Sequence, residues 1–394
     1  MRRKTYALLV AMFGLWQHSA PVLAHHSFAA EFDAQKPVTL QGVVVKWEMI
    51  NPHGWITLGV TAADGTTTQW MVETSNPNGL MRLGWTNNAL KAGDSITVEG
   101  YLAKDGSSTA NASRITLPDG SKVFAGSRTT PDPPPAAASA SAAAAAAEPA
   151  APQAELPRLA DGRPDLQGLW LKSNGGFQGL FIGSLDGTNF AAGGGRGGGG
   201  PPPRQFKYTP EAAAEKEYRA QRSYEDPEGR CHVPGVPRAL DQPAGLYPVQ
   251  IIQDENYVAL LHEAMHDVRI IPTDNSAHPS NYWAWDGDSR GRWEGDTFVV
   301  DVSNFNGRTW LDMQGNFVDE NEHVLERFTL VDRDTILYEA TITDPTVFVE
   351  PVEYRFTLKR VPAEQQMLEY SCHEGERSRQ HFTEEDGGKQ QRTQ

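Results

Sequence analysis

From Val249 onward, eight short segments with strand-like composition are separated by turn residues, and hydrophobic and polar residues alternate cleanly in some of them. In the sixth segment, Ile336, Tyr338, Ala340 and Ile342 fall on one face, which is the pattern of a strand with one buried side. Eight such strands predict a mainly β domain, folded as a barrel or a curved antiparallel sheet. The predicted strands are Val249–Gln253, Tyr257–Ala264, Val268–Pro272, Thr297–Ser303, Val324–Val331, Thr335–Thr343, Val352–Arg360 and Met367–Cys372.

A stretch rich in Pro and Ala separates this β region from another one nearer the N-terminus. It contains the run Pro131-Asp132-Pro133-Pro134-Pro135 and then an Ala/Ser tract, a composition typical of an extended spacer. Before it, three β-branched segments, a short helical segment and two more strands follow the order of a small OB-like barrel. Few helices are predicted, and the longest is Glu211–Arg222. The predicted division is signal peptide 1–24, OB-like domain 25–126, linker 127–165, second β domain 166–376 with a Gly/Pro-rich insert at 191–203, and polar tail 377–394.

The first 24 residues have the pattern of a secretory signal peptide. Arg2, Arg3 and Lys4 precede an uncharged, mostly apolar core that is too short to span a bilayer of about 30 Å. Val22-Leu23-Ala24 then fits a cleavage site, and the Arg2-Arg3 pair leaves a twin-arginine signal as the alternative export route. We therefore expect a periplasmic or secreted bacterial protein whose mature chain has no membrane span.

The chain has two cysteines, Cys231 and Cys372. Two distant cysteines in an oxidising compartment are most simply explained by one disulfide. Each is followed by a histidine, His232 or His373, so a Cys2His2 zinc site is the alternative. Because neighbouring residues of a strand point to opposite faces, adjacent ligands chelate poorly, and we predict the disulfide.

The charge balance excludes one class of partner. The chain carries 35 Lys and Arg against 50 Asp and Glu, which gives a net charge of −15. Binding nucleic acid by neutralising phosphates requires a basic face. The OB-like domain is therefore not expected to bind oligonucleotides, despite its predicted fold.

Several motifs carry resemblances to known families. His25-His26-Ser27-Phe28 and Asn51-Pro52-His53-Gly54-Trp55 resemble a family of small exported bacterial domains of unknown function. In the second domain, Gly168-Leu169-Trp170 is similar to the Gly-x-Trp opening of lipocalins. The segments Gly291–Asp296 and Glu369–Cys372 look like another exported family without an assigned activity. These resemblances imply a lipocalin-like second domain, but they supply neither a substrate nor catalytic residues.

The N-terminus of the mature chain is a candidate metal site. Cleavage after Ala24 makes His25 the first residue, which chelates through its amine and imidazole, and His26 adds a second ring. Such nitrogen ligands favour copper, with zinc as the alternative. His53, between two predicted strands, is a third candidate ligand. The opposing interpretation is a solvated, frayed terminus.

The segment from His262 to His266 matches the H-E-x-x-H pattern, in which a helix holds zinc and the glutamate acts as general base. Both flanking segments have strand character, and Val268–Pro272 ends at a proline. We therefore do not predict a metalloprotease, and His262 and Glu263 instead become candidate acid–base residues beside a hairpin.

Two carboxylates fall on apolar faces of predicted strands. Glu326 shares a face with Val324 and Phe328, and Glu263 shares one with Ala259. A carboxylate on such a face either pairs with a cation or has its pKa raised by burial, as acid–base catalysts do. Candidate cations are Arg269, Arg290 and Arg327. The candidate catalytic residues are therefore Glu263, His262, His278 and Glu326.

The loop 273–296 combines acidic and aromatic residues. Asp286-Gly287-Asp288 resembles a calcium turn, but the spacing is not that of an EF-hand. Aromatic residues at the mouth of a barrel favour a partly apolar or sugar-like ligand. Predicted ligand-binding residues are Arg269, Trp283, Trp285, Arg290, Trp293 and Tyr338. The preferred function is thus binding of a small molecule in the second domain, with a hydrolase, lyase or isomerase and a copper or zinc protein as alternatives.

Overall fold

The computed structural model describes residues 31–82, 85–120, 122–124, 156–173, 206–242, 247–372 and 374. These residues form two sheets, of six and nine strands, so the predicted mainly β class with few helices is confirmed. The predicted signal peptide, most of the linker, the Gly/Pro-rich insert and the polar tail lie outside the described residues. Among the described residues no helix is both long and apolar enough to cross a membrane.

The first sheet is an OB-like barrel. Its order is β3-β2-β1-β4-β5-β6, and β3 also pairs with β5 in parallel, which closes five strands into a ring. Helix α1 (Pro77–Arg82) connects β3 to β4. The barrel interior holds Leu58, Val72, Val98 and Ile115, all fully buried. Its strands are β1 (Phe32–Met49), β2 (Gly54–Thr61), β3 (Thr67–Glu73), β4 (Ser95–Ala103), β5 (Thr109–Thr116) and β6 (Lys122–Phe124).

The second sheet contains nine antiparallel strands in the order β10-β9-β8-β7-β15-β14-β13-β12-β11. Helix α2 (Pro210–Ala220) precedes β8, and the Thr209 hydroxyl caps its N-terminus by accepting from the Ala212 amide. The strands are β7 (Gly168–Ser173), β8 (Val249–Gln253), β9 (Tyr257–His262), β10 (Val268–Pro272), β11 (Asp288–Glu294), β12 (Thr297–Ser303), β13 (His323–Asp332), β14 (Thr335–Thr343) and β15 (Val352–Arg360).

This sheet curves until its edge strands β10 and β11 meet. Every neighbouring pair is antiparallel, so with nine strands the two edges run parallel to each other. Arg269 of β10 donates from Nη2 to the Ser289 hydroxyl of β11 at 2.9 Å. At Gly291 of β11, an added Cβ would lie 2.9 Å from a methyl carbon of Ile271 and 2.6 Å from the Phe298 ring. The glycine therefore allows the two edges to approach closely.

The alternation that predicts the strands also identifies their buried face. Ile336, Tyr338, Ala340 and Ile342 are all buried and belong to the main core of the nine-stranded sheet. The lipocalin-like barrel or curved antiparallel sheet predicted for this domain is thus confirmed as a nearly closed antiparallel sheet.

Two strand predictions are wrong. Met367–Cys372 forms no strand, because the Leu368 and Tyr370 amides donate to the side chains of Glu263 and His266 rather than to a neighbouring strand. In contrast, Asp288–Glu294 is strand β11, although the sequence placed it in a loop.

The two cysteines lie within bonding distance. The Cα atoms of Cys231 and Cys372 are 5.8 Å apart and their sulfur atoms are joined, so the predicted disulfide is confirmed and the zinc alternative is wrong. The pair indicates an oxidising, extracytoplasmic environment.

Candidate functional site

A buried ion pair crosses the interior of the nine-stranded sheet. Arg269 donates to both carboxylate oxygens of Glu326, at 3.2 and 2.6 Å, and their side chains are 3% and 0% exposed. The Tyr338 hydroxyl donates to Glu326 Oε1 at 2.8 Å, and burial raises the pKa of Tyr338 well above its usual value. Three of the residues predicted for the site therefore meet, and the sequence had named Arg269 as a partner for a buried carboxylate.

Beside this pair lie a histidine and two carboxyl groups. Burial lowers the pKa of His262 to about 4, so the ring is neutral at pH 7, and it hydrogen-bonds to the backbone of Ala239. Asp286 hydrogen-bonds to Asp267, and burial together with the charge of Asp267 raises the pKa of Asp286 well above its usual value. Asp267 Oδ2 and Asp286 Oδ1 accept from no N–H or O–H donor among the described residues, so the two carboxyl groups lie against each other without a donor of their own.

We refer to these groups as the polar cluster, which consists of the half-buried Asp286 and the buried residues His262, Asp267, Arg269, Ser289, Glu326 and Tyr338. A second buried pair extends the charged region along the barrel wall, since Lys172 Nζ lies 2.6 Å from Asp241 Oδ1. The charge of Asp241 also acts on Tyr338. The interior of the second domain therefore combines an apolar core with a concentrated set of ionisable groups.

Two nitrogen atoms of the polar cluster have no hydrogen-bond partner among the described residues. They are Nε2 of His262 and Nε of Arg269, in side chains that are 5% and 4% exposed as whole residues. Because Ala239 engages the other ring nitrogen of the neutral His262, Nε2 offers a lone pair, whereas Arg269 Nε offers a proton. Buried polar atoms almost always have a partner, so these two nitrogen atoms are the candidates for contact with a ligand or a water molecule.

Glu263 faces away from the polar cluster. Its carboxylate accepts two hydrogen bonds from Arg82 of helix α1, at 2.9 and 2.5 Å, and one from Asn78 at 3.1 Å. The side chain is 0% exposed, and the Leu368 amide donates to its Oε2 at 2.8 Å. The prediction that Glu263 acts as an acid or base stays a prediction, and in the structure this carboxylate joins the two domains.

The H-E-x-x-H segment forms a hairpin turn. His262 ends β9, and the next residues make a short 3-10 turn in which Met265 and His266 have φ angles of 59° and 52°. His266 is exposed and its Nε2 accepts from the Tyr370 amide at 3.3 Å. No zinc-binding helix forms here, and across the described parts of the chain no three His, Cys, Asp or Glu residues are grouped for metal binding.

His278 belongs to a separate, half-exposed network. Its ring lies between Asp288 at 2.6 Å and Asp301 at 2.9 Å, and His323 also contacts Asp301 at 3.2 Å. Arg290 pairs with Asp288 at 2.7 Å. The catalytic role of His278 and the ligand-binding role of Arg290 stay predictions, and neither residue contacts the polar cluster through these bonds.

The three predicted tryptophans do not share one surface. Trp283 is 58% exposed, and Trp285 stacks on His232 with ring centroids 4.9 Å apart. Trp293 lies near the last residue of β11, whereas Trp285 precedes its first, so the two are at opposite ends of that strand. Trp293 packs on Phe298 at 5.2 Å within the core. The three tryptophan rings therefore do not line one opening of the nine-stranded sheet.

Of the three predicted metal ligands, the structure describes one. His25 and His26 lie outside the described residues, while His53 is 6% exposed and its Nδ1 lies 3.6 Å from Glu73 Oε1. Asn111 donates to the same carboxylate oxygen at 2.8 Å. Copper or zinc binding at the N-terminus stays a prediction.

Comparison with known proteins bears on the first domain. Residues 14–112 match DUF6152, a family of unknown function. The matched stretch is about a quarter of the chain and ends within β5, so it agrees with the resemblance drawn for the first domain and does not reach the second. No curated protein and no solved structure matches the chain.

Sequence reasoning missed Asp267, Asp286, Lys172 and Asp241 as members of the buried site. A signal was present for Lys172, which follows the buried Trp170 at a spacing of two and therefore shares its face of β7. Asp286 and Asp241 lie outside strands, where no periodicity indicates which side chains are buried.

Glu322, directly before β13, is a further buried carboxyl group. It is 3% exposed, and neither of its oxygens has a hydrogen-bond partner among the described residues. Burial and the neighbouring charges of Asp344 and Asp319 raise its pKa well above the usual value. The folded protein therefore keeps this proton at pH values where the unfolded chain has released it.

Replacing Glu322 by glutamine is expected to remove a pH dependence of stability. In the wild type, Glu322 contributes its full stabilisation at pH values below the ordinary glutamate pKa. The free energy of unfolding then falls as the pH rises toward the higher pKa of Glu322 in the folded state, by up to about 1.4 kcal/mol per pH unit. Urea unfolding between pH 5 and pH 8 measures this slope. Glu320→Gln, at an exposed position, should keep the wild-type slope, and equal slopes in the wild type and Glu322→Gln would contradict the expectation.

Proposed function

We propose that the second domain binds a small, partly apolar molecule whose hydroxyl group occupies the polar cluster. The supporting observation is the pair of unpartnered buried atoms, one an acceptor on His262 and one a donor on Arg269. A hydroxyl group is both donor and acceptor, so it satisfies both. The surrounding interior suits an apolar body, because Phe298, Phe328 and Tyr338 line the same core.

The charge of the polar cluster favours a neutral ligand over an anion. Arg269 and Glu326 compensate each other, while Asp267 and Asp286 add two carboxyl groups without a second cation in the polar cluster, which leaves an excess of acidic charge. Placing a carboxylate ligand beside that charge in a buried site costs more than placing an alcohol there.

The test compares three aromatic probes that differ in one polar group: benzyl alcohol, benzylamine and benzoate. Saturation-transfer NMR on the full-length protein is expected to show binding of benzyl alcohol and not of benzoate. In His262→Asn, the amide nitrogen retains the donor toward Ala239 but Nε2 is lost, so affinity for benzyl alcohol should fall about tenfold.

The matched control is His323→Asn, which changes a half-exposed histidine of the surface network. It should bind benzyl alcohol as the wild type does. The proposal fails if benzyl alcohol does not bind the wild type, or if His262→Asn binds it unchanged.

A second candidate, catalysis by proton transfer, is favoured by the carboxyl pair. Asp267 and Asp286 are hydrogen-bonded to each other beside a neutral imidazole, and the pKa of Asp286 is raised, so groups able to donate and to accept a proton are concentrated in one site. Asp286→Asn would abolish turnover of a hydroxylated substrate, whereas Asp301→Asn in the surface network would not. Equal turnover in both variants would exclude this role.

A further inference from the structure

The hairpin of β9 and β10 supplies three members of the polar cluster. His262 is the last residue of β9, and Asp267 and Arg269 follow the turn. Two turn residues, Met265 and His266, adopt left-handed φ angles that non-glycine residues rarely occupy. A turn of this conformation persists when surrounding contacts hold it, and those contacts then determine where the cluster residues lie.

The main contact on this turn comes from the first domain. Both carboxylate oxygens of Glu263 accept from Arg82, and the side chains of this pair are 5% and 0% exposed. Asn78 adds a hydrogen bond to Oε1. Because a buried carboxylate without a cation is strongly unfavourable, the position of Glu263 depends on Arg82.

Helix α1 also fixes the C-terminal segment that lies against the turn. Asn78 donates to the Glu369 carbonyl at 3.0 Å, and Arg82 donates to the Gln366 carbonyl at 3.3 Å. The Tyr370 amide in turn donates to His266. The helix, the C-terminal segment and the hairpin turn therefore form one hydrogen-bonded unit, with Glu263 at its centre.

We propose that Arg82 and Asn78 are positioning residues for the ligand site of the second domain, so that the first domain completes this site. The chain passes directly from Glu263, held by the first domain, to His262, which faces the barrel interior. A shift of the Glu263 backbone therefore displaces His262 and, across the hairpin bond from the His262 amide to the Asp267 carbonyl at 2.8 Å, Asp267 as well. This inference rests on the proposed function only for its ligand, since the positioning is measurable without one.

The first experiment measures positioning in the ligand-free, full-length protein. In Arg82→Met, amide hydrogen exchange across residues 257–272 should accelerate about tenfold or more, because Glu263 loses its charged donors, while exchange in β13 and β14 stays unchanged. The imidazole NMR signals of His262 should shift. In Arg82→Met/Glu263→Met, where no unpaired charge remains, both quantities should return toward wild type.

The control is Arg114→Met, which breaks the partly exposed pair with Glu99 in the same domain and should leave the hairpin unaffected. Wild-type exchange and an unchanged His262 spectrum in Arg82→Met would overturn the proposal. Equal acceleration of amide hydrogen exchange in Arg82→Met and Arg114→Met would also overturn the proposal.

The second experiment connects positioning to binding. Affinity for benzyl alcohol should fall about tenfold in Arg82→Met, which alters no atom of the polar cluster, and recover in the double variant. If the hairpin loosens but affinity for benzyl alcohol is unchanged, Arg82 positions the hairpin but not the ligand site, and the proposal for the ligand site is wrong. If benzyl alcohol fails to bind the wild type while the hairpin loosens as expected, the proposed ligand is wrong and the positioning of His262 by the first domain is supported.

Discussion

Replacing Arg269 by methionine is expected to lower the free energy of unfolding by about 3–5 kcal/mol, the range observed when one partner of a buried pair is removed. The cost arises from Glu326, which is 0% exposed and would keep a charge with only the Tyr338 hydroxyl beside it. The variant also loses the bond from Arg269 to Ser289 between the edge strands. Guanidinium unfolding at pH 7 measures the change.

Two further variants separate charge from packing in this experiment. Arg269→Met/Glu326→Gln should recover most of the loss, because the amide is neutral and its oxygen still accepts from Tyr338. Arg292→Met removes an exposed arginine that pairs with Glu294, and should cost less than about 1 kcal/mol. Equal losses in Arg269→Met and Arg292→Met would show that the buried pair does not stabilise the fold.

Removing the disulfide is expected to have an effect of similar size. Cys231 and Cys372 are separated by 141 residues. Because a cross-link restricts the unfolded chain in proportion to the logarithm of the loop length, Cys231→Ser/Cys372→Ser should lose about 4–5 kcal/mol. Urea unfolding of the double variant measures the loss.

The wild type unfolded in the presence of dithiothreitol is the control for the serine side chains. Its stability should match that of the double variant, since both lack the cross-link. A loss below about 1 kcal/mol in both would mean that the unfolded chain is already restricted between these positions.

Periodicity was informative wherever a strand has one apolar side. The predicted bounds of Thr335–Thr343 and Val352–Arg360 coincide with β14 and β15, and the face assigned to Glu326 is the buried one. Strand β11 escaped prediction because four of its seven residues are charged and its inward positions include the small residues Ser289 and Gly291. Its pairing with β12 decides its conformation, and pairing is not a local property.

The site was predictable in part for the same reason. Alternation places Glu326 inside, and a buried carboxylate requires a cation, so a partner such as Arg269 was inferred without coordinates. The alternation also assigned Glu263 to the strand face of Ala259, but the pattern does not show which residues cover that face. Its partner Arg82 is 181 residues away in the other domain, and only the tertiary structure brings the two together.

The odd number of strands in the second sheet has a consequence for access to its interior. Elsewhere around the wall, separating two neighbouring strands breaks a ladder of backbone hydrogen bonds, but β10 and β11 are joined by side chains such as Arg269 and Ser289. Parting them costs those contacts alone. The line between β10 and β11 is therefore the part of the sheet that opens most easily toward the buried Arg269. A bulkier residue at Gly291 would hold these two strands further apart.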